Sequence, residues 1–484
     1  MDAIRRKATG AYYTPDIVVR SLVQWAVHSQ GDRMLDPACG DGRFLSAHSN
    51  SVGVEHDTEA CALTHQTSPG SLIHQGDFFA WASSTHERFE CAAGNPPFIR
   101  YQRFTGAVRN TALAMCALHG ARFSALTSSW APFLVASATL LKAGGRMAFV
   151  VPAEIGHAPY ARPLLEYMVS HFGCVHVIAI REKLFRHLAE DCWLLYADGF
   201  GGWTDHLRFS ALGSFEFMSR PPKGYLRVPM DEWRAWNGRL RPFLVSPAAR
   251  DAYLHLTTDA DSVRLGDVAT VGIGYVTGAN DFFHLRPSNA EHRGIPHELL
   301  RPAVRNGRSL TGRAITRSTV EQWCQRDEPV LLLDLKRCTD LPAAVRRYLN
   351  TTEGQAARAT YKCRTRSPWY VVPDVTVPDA FLSYMSGNGP ALVVNSARCV
   401  GTNSVHLVRL KGNVSSDTLQ SAWGSPVTSL SCELEGHPLG GGMLKLEPGE
   451  AARVLLHTGG LRDALETKLL EEATTKMQQW RHHA

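Results

Sequence analysis

The sequence predicts an α/β protein: a mixed, mostly parallel sheet with helices over roughly residues 1–235, then a mixed α+β domain over 236–484. Two observations lead there. Four short apolar runs lie between Arg33 and Phe98, separated by helix-forming sequence, and each ends in a polar or acidic residue. Strands alternating with helices build parallel sheets, and such sheets bind ligands at the carboxyl ends of their strands. Past about Ser219 the alternation gives way to an irregular, basic stretch carrying Trp233 and Trp236, the expected domain junction.

At 484 residues the chain is long enough for two domains, each with its own core. A net charge of +6 suits a nucleic-acid partner without arguing for one. The eleven cysteines are scattered singly with no Cys-x-x-Cys pair. That argues for reduced thiols in a cytoplasm, against a disulfide framework and against a zinc site. No run approaches the ~20 apolar residues of a membrane span. Met1 to Lys7 lead into no long apolar region, so no signal peptide is expected.

Taken in order, Gly10 to Asp16 open the first helix, with Thr14 as its expected N-cap, Pro15 at the first helical position and Asp16 at the positive end of the dipole. Ile17, Val18, Leu22, Trp25 and Ala26 then recur at helical spacing. Arg33 to Asp36 is a strand that runs through Pro37, Ala38 and Cys39 into a turn holding Gly40 and Gly42. Those glycines let backbone approach a ligand closely. The third glycine of a dinucleotide fingerprint is missing, and Asp36 suits a cationic amino acid better than a pyrophosphate. The second strand ends in Glu55, a carboxylate placed to accept from ribose hydroxyls. The third ends near Asp77 and Phe78, an acceptor for an adenine amino group beside a ring to pack on it.

The fourth strand, Phe89 to Ala93, is stopped by Gly94-Asn95-Pro96-Pro97-Phe98, because two prolines cannot donate ladder hydrogen bonds. The stiff turn displays an amide, a carbonyl and an aromatic ring. It suits one difficult task, making a nucleobase amine attack a methyl donor. If the Asn95 side-chain oxygen and the Pro96 carbonyl each accept one amino hydrogen, the delocalised lone pair is freed. Phe98 would stack on the base.

Together, Thr14-Pro15, Asp36 to Gly42, Glu55, Asp77-Phe78 and Asn95 to Phe98 resemble, in that order, the DNA adenine-N6 methyltransferases with a C-terminal target-recognition domain. The resemblance implies a Rossmann-like methyltransferase domain over 1–235 and a DNA-recognition domain over 236–484. It implies S-adenosyl-L-methionine as cosubstrate, held by Thr14, Asp36, Ala38, Gly40, Glu55, Asp77, Phe78 and Asn95, with no metal. It implies catalysis by Asn95, Pro96, Pro97 and Phe98 on double-stranded DNA. Many such enzymes belong to type II restriction–modification systems, beside a separate cognate endonuclease. The family usually ends the catalytic motif in Tyr where this chain has Phe98.

Trp130 to Lys142 is predicted helical, closed by Gly144-Gly145, with Arg146 to Pro152 a buried strand. Phe133 matches the family's aromatic residue in the donor pocket, and Phe185 the second aromatic against the extruded base, although Arg186 replaces the usual following proline. Val175 to Ile180 and Cys192 to Tyr196 are expected to be the last strands of this domain. Beyond the junction, Val271 to Phe283, Tyr361 to Arg364 and Gly440 to Met443 resemble parts of the family's recognition domains. Two basic clusters follow, one with Arg305 and Arg308, the other with Lys362, Arg364 and Arg366 beside Trp369 and Tyr370. Cations interleaved with aromatic rings suit phosphate contact, so these five are the expected DNA-binding residues.

One alternative is a protein-glutamine methyltransferase, which shares an Asn-Pro-Pro-aromatic turn but lacks such a C-terminal domain; a second is an RNA adenine methyltransferase. A third, a catalytically idle DNA-binding subunit, sits poorly with a complete motif set. No Pro-Cys dipeptide offers the nucleophile of cytosine C5 methylation. With motif chemistry starting at Thr14, the chain is expected to modify DNA without cutting it.

Overall fold

A computed structural model describes residues 14–185, 190–412, 414–461 and 464–482. Gly10 to Tyr13 and Arg186 lie outside them. The chain divides into two compact units that meet in sequence at Leu244 and Val245.

The first unit is built on one nine-stranded sheet of order β3-β2-β1-β4-β5-β7-β6-β8-β9. β1 (Met34–Asp36), β2 (Ser51–Glu55), β3 (Leu72–Gln75), β4 (Phe89–Gly94) and β5 (Leu141–Pro152) run parallel. β7 (Cys192–Phe200) then lies antiparallel between β5 and β6 (Phe172–Ile180). The parallel half therefore gathers the ends of β1, β2 and β4 at one edge. Helix α1 (Asp16–Ala26) covers one face, burying Val18, Leu22, Val23 and Ala26 among Met34, Cys91, Ala93, Ala148, Ile178 and Leu194. The other connections include α2 (Arg43–Ser46), α3 (Thr58–Thr67), α4 (Phe78–Ser84), α5 (Gly106–Leu118) and α6 (Trp130–Thr139). From Trp130 to Ala138 every residue of α6 is buried, matching its apolar circumference.

Four local expectations are corrected. Thr14 does not cap α1: Pro15 stands at the N-cap, and its carbonyl accepts from the N–H groups of Val18 and Val19 at 2.9 and 3.1 Å. Gly144-Gly145 do not close α6. The Phe89 N–H donates to the Leu140 carbonyl, drawing Leu141 into β5, and the glycines fall where the β4–β5 register slips between Phe89 and Cys91. β6 and β7 are not the last strands, since β8 (His206–Leu212) and β9 (Leu226–Pro229) extend the sheet, with Phe209 and Val228 buried. The basic stretch expected as a junction thus supplies a strand and a helix, α7 (Met230–Ala235). The unit continues to Leu244 because Trp233, Leu240 and Phe243 are buried and the Leu240 N–H donates to Gly156 O at 2.9 Å.

The second unit has a five-stranded sheet containing Ala269–Ile273, Val405–Leu410, Ala380–Ser383, Leu392–Asn395 and Ala314–Ile315, plus smaller sheets of four, three and two strands. The C-terminal helix, expected from about Leu461 to Trp480, runs Ala464–His482 and anchors itself through Arg481. That guanidinium is fully buried, 2.8 Å from Glu433, and donates to the Gly387 carbonyl at 2.7 Å and to Gly442 O in the triple-glycine turn.

Candidate active site

At the carboxyl edge of the first sheet lies a cavity of about 550 Å³, within the range of small-molecule sites. Thr14, Asp36, Ala38, Gly40, Glu55, Asp77, Phe78, Asn95 and Phe133 all line it, as does Pro97. Every residue expected to hold the donor therefore faces one space, although the sequence separates Thr14 from Phe133 by about half of the first unit.

Asp36 ends β1 and is 1% exposed. Its Oδ1 accepts the Ala38 N–H at 3.1 Å, while Oδ2 is buried and has no hydrogen-bond partner among the described residues. Burial pushes the carboxyl up to about 8, and the charges of Glu55 and Asp41 add to it. A carboxylate oxygen buried without a donor is expensive unless a cation completes it. Gly94 permits this packing: a Cβ there would meet Asp36 Oδ1 at 2.7 Å.

Glu55 is oriented by the chain around it, Oε2 accepting the Gly40 N–H at 2.9 Å and Oε1 the Asp57 N–H at 2.7 Å. Each carboxylate oxygen has a second lone pair to offer into the cavity. Gly42, with φ at 82°, makes the left-handed turn that starts α2. Asp77 caps α4 through the Ala80 N–H at 2.9 Å. Phe78 stacks on Phe133, with centroids 5.1 Å apart and planes 15° from parallel, and Phe79 meets Phe133 edge-on at 4.6 Å. A buried carboxyl that a cation would ionise, an oriented carboxylate and an aromatic wall fit S-adenosylmethionine, which joins a sulfonium and an ammonium to a ribose and a planar base.

The Asn95 amide nitrogen donates to Thr14 Oγ1 at 3.2 Å. The amide nitrogen lies toward Thr14, whose hydroxyl can both donate and accept. Thr14 thereby gains a role that helix chemistry did not suggest. Pro96 is buried, and the half-buried Phe98 packs against the apolar cluster on the α1 face. Phe185 belongs to that same cluster at 7% exposure and does not line the cavity.

Sequence reasoning missed Phe79, which Phe78 overshadowed, and Ser129, whose hydroxyl donates to the Pro97 carbonyl at 2.5 Å. A serine just before a helix reads as a cap, and nothing local marks it otherwise.

In the second unit, Arg308, Lys362 and Arg364 are exposed, and the Lys362 and Arg364 cations lie 6.0 and 5.8 Å from the ring centre of Tyr361. Arg305 is paired with Asp281 at 2.9 Å. Arg366 departs from expectation. Its guanidinium donates to the Thr277 carbonyl at 2.7 Å and to Val276 O, which makes it a brace for the 276–277 backbone. Among the described residues no helix is long and apolar enough to cross a membrane, and no group of three or more His, Cys, Asp or Glu gathers as for a metal. All eleven cysteines are free thiols.

Residues 3–188 match the N-6 DNA Methylase family, and residues 237–483, half of the chain, match the type II methyltransferase M.Eco57I C-terminal domain. Similar proteins include the type II methyltransferase M.AccI of Acinetobacter calcoaceticus, 20% identical across 95% of this chain and 87% of that one. M.XamI of Xanthomonas campestris pv. amaranthicola is 23% identical across 93% and 85%. M.TthHB8I of Thermus thermophilus reaches 30% identity, over 30% of this chain and 35% of its own. Among solved structures, the DNA-bound type IIL restriction-modification enzyme MmeI superposes with a TM-score of 0.57 at 14% identity. That match covers 90% of this chain but 66% of MmeI, and the likeness speaks for the fold alone. The type IIG restriction endonuclease BpuSI is likewise longer, this chain spanning 61% of it. Over both of its units, then, the chain belongs to the family of type II, adenine-N6-specific DNA methyltransferases of restriction–modification systems, whose methyl donor is S-adenosylmethionine.

Proposed function

We propose that this chain binds a specific duplex site through its second unit, holds one adenine extruded from the helix against the Asn95–Phe98 turn, and methylates its N6 amino group. The observation that carries the reading is the Asn95 amide, fixed by Thr14 on the rim of a cavity that also holds the buried Asp36 oxygen. The bound donor supplies an electrophilic sulfonium methyl. Asp36, Glu55 and Asp77, with the Phe78–Phe133 wall, hold and orient that donor. The Asn95 oxygen and the Pro96 carbonyl each accept one hydrogen of the target amine. That frees its lone pair and fixes the nitrogen for in-line attack, so catalysis is orientation plus hydrogen bonding. No side chain need act as base, because the methylated ammonium is acidic enough to lose its proton to water.

Extrusion follows from chemistry, since an amino group paired and stacked in a duplex cannot be approached in line. Phe98 replaces part of the lost stacking, worth roughly 1–3 kcal/mol per base and comparable with the few kcal/mol that flipping costs. Phe185 belongs to the apolar cluster against which Phe98 packs. Arg308, Lys362 and Arg364 contact phosphates. Cleavage of unmodified DNA would fall to a separate endonuclease.

The test uses 2-aminopurine at the target adenine of the site mapped by methylation-aware sequencing. Its fluorescence should rise when wild-type enzyme binds, and Phe98→Ala should methylate at least tenfold more slowly, with Phe98→Tyr tolerated. A probe that stays quenched at every adenine of the site, or a wild-type rate in Phe98→Ala, refutes the reading.

A further inference from the structure

Ser129 immediately precedes α6 and is completely buried. Serine at such a place ordinarily accepts a hydrogen bond from the first turn of its helix, with its own backbone extended. Here the backbone is already helical, at φ −59° and ψ −34°, and the side chain makes no capping bond. The hydroxyl is turned instead to the turn that follows β4. It donates to the Pro97 carbonyl at 2.5 Å and accepts the Ile99 N–H at 3.0 Å, while the Ser129 N–H donates to the Ile99 carbonyl at 2.9 Å. These three bonds grip the chain on both sides of Phe98. Pro96 and Pro97 have no N–H of their own, so the turn cannot brace itself by backbone donation at those positions.

Two consequences follow from where Ser129 sits. The Pro97 carbonyl is held in one direction by the buried hydroxyl, which fixes the peptide plane between Pro97 and Phe98. And α6 carries Phe133, whose ring stacks on Phe78 in the donor cavity. One residue thus connects the acceptor-side turn to the donor-side wall.

We propose that Ser129 is a positioning residue for methyl transfer, holding Asn95 and Phe98 at the spacing from the donor that reaction requires. The inference rests on the roles given above to Asn95 and Phe98. A displacement near 1 Å at a reacting centre can cost about 100-fold in rate. Removing the hydroxyl should therefore slow the chemical step and leave binding intact.

The experiment measures single-turnover methyl transfer, donor affinity, DNA affinity and unfolding midpoint for full-length wild type, Ser129→Ala, Ser129→Cys and Asn95→Ala. Expected is a rate loss of about 10- to 100-fold in Ser129→Ala and a smaller loss in Ser129→Cys, whose thiol is a weaker donor and acceptor. Donor and DNA affinities should both stay within about threefold, a split between rate and binding that general destabilisation does not produce. A Ser129→Ala rate within about threefold of wild type overturns the proposal, and so does a parallel fall of rate and both affinities. If Ser129→Ala does not fold, Ser129→Cys decides by the same criteria: slowed transfer with intact binding supports the role, a wild-type rate overturns it. Asn95→Ala separates the layers. Its inactivity beside an unimpaired Ser129→Ala sinks only this inference, whereas an active Asn95→Ala sinks the reading beneath it.

Discussion

Replacing Asp36 by Asn removes one charge from a site where burial opposes it, and the consequence can be worked through with its sign. In the unfolded chain this carboxyl titrates near 3.8; in the folded protein burial pushes it up to about 8. A folded pKa above the unfolded one means that the folded state holds the proton more tightly. Its contribution to stability is complete below pH 3.8 and is lost progressively until pH passes about 8. At roughly 1.4 kcal/mol per pH unit across that window, the penalty at alkaline pH is on the order of 6 kcal/mol. A cationic donor reverses the balance by favouring the carboxylate. Donor affinity should therefore rise between pH 6 and pH 8, and binding near pH 6.5 should release close to one proton from Asp36. Calorimetry in buffers of different ionisation enthalpy counts that proton, and urea unfolding from pH 5 to 9 follows the stability. Asp36→Asn should bind the donor weakly and release no proton. It should also gain stability over wild type as pH rises. The same proton release in both proteins, or a stability difference that does not move with pH, would refute this account of Asp36.

Glu55→Ala removes an oriented acceptor and should weaken donor binding by roughly 1–3 kcal/mol, the cost of an unmade buried hydrogen bond; unchanged calorimetric affinity would show the donor to be misplaced. Replacing Lys362 and Arg364 together should lower DNA affinity and flatten its log–log salt dependence by about 0.9 for each phosphate left without its cation. An unaltered slope would mean that these cations only face solvent. Arg366→Ala should do the reverse, leaving the salt slope as it was and destabilising the second unit by roughly 2 kcal/mol, because charged donors leave the 276–277 carbonyls. A changed slope at full stability would return Arg366 to the DNA-binding set.

Much of the donor site is legible in sequence because its residues sit at the strand ends. An apolar run stopped by Asp36, Glu55 or Asn95 declares both the strand and the edge it leads to, and parallel pairing brings those edges together. What was not legible depends on partners remote in the chain. Thr14 looks like a cap until Asn95, 81 positions on, donates to its hydroxyl. Ser129 looks like a cap until the Pro97 carbonyl, 32 positions back, accepts its hydroxyl's hydrogen bond. Gly144-Gly145 look like a helix stop until β4 pulls Leu141 into register. Arg366 looks like a phosphate contact because a guanidinium's donors suit backbone carbonyls as well as phosphate oxygens. β8 and β9 escaped notice because they follow the Gly201-Gly202 pair and the two-proline segment at Pro221-Pro222, which read as an ending.

The central claim is that this chain places a methyl group on adenine N6 in DNA through the Asn95 turn. Methylation-aware sequencing of DNA from cells expressing wild type, and from cells expressing Asn95→Ala at the same level, tests it most directly. One short sequence should carry N6-methyladenine at nearly every occurrence with wild type and none with Asn95→Ala, while the purified variant still binds S-adenosylmethionine. Methylation that persists in Asn95→Ala, or a mark on cytosine in its place, would contradict the account.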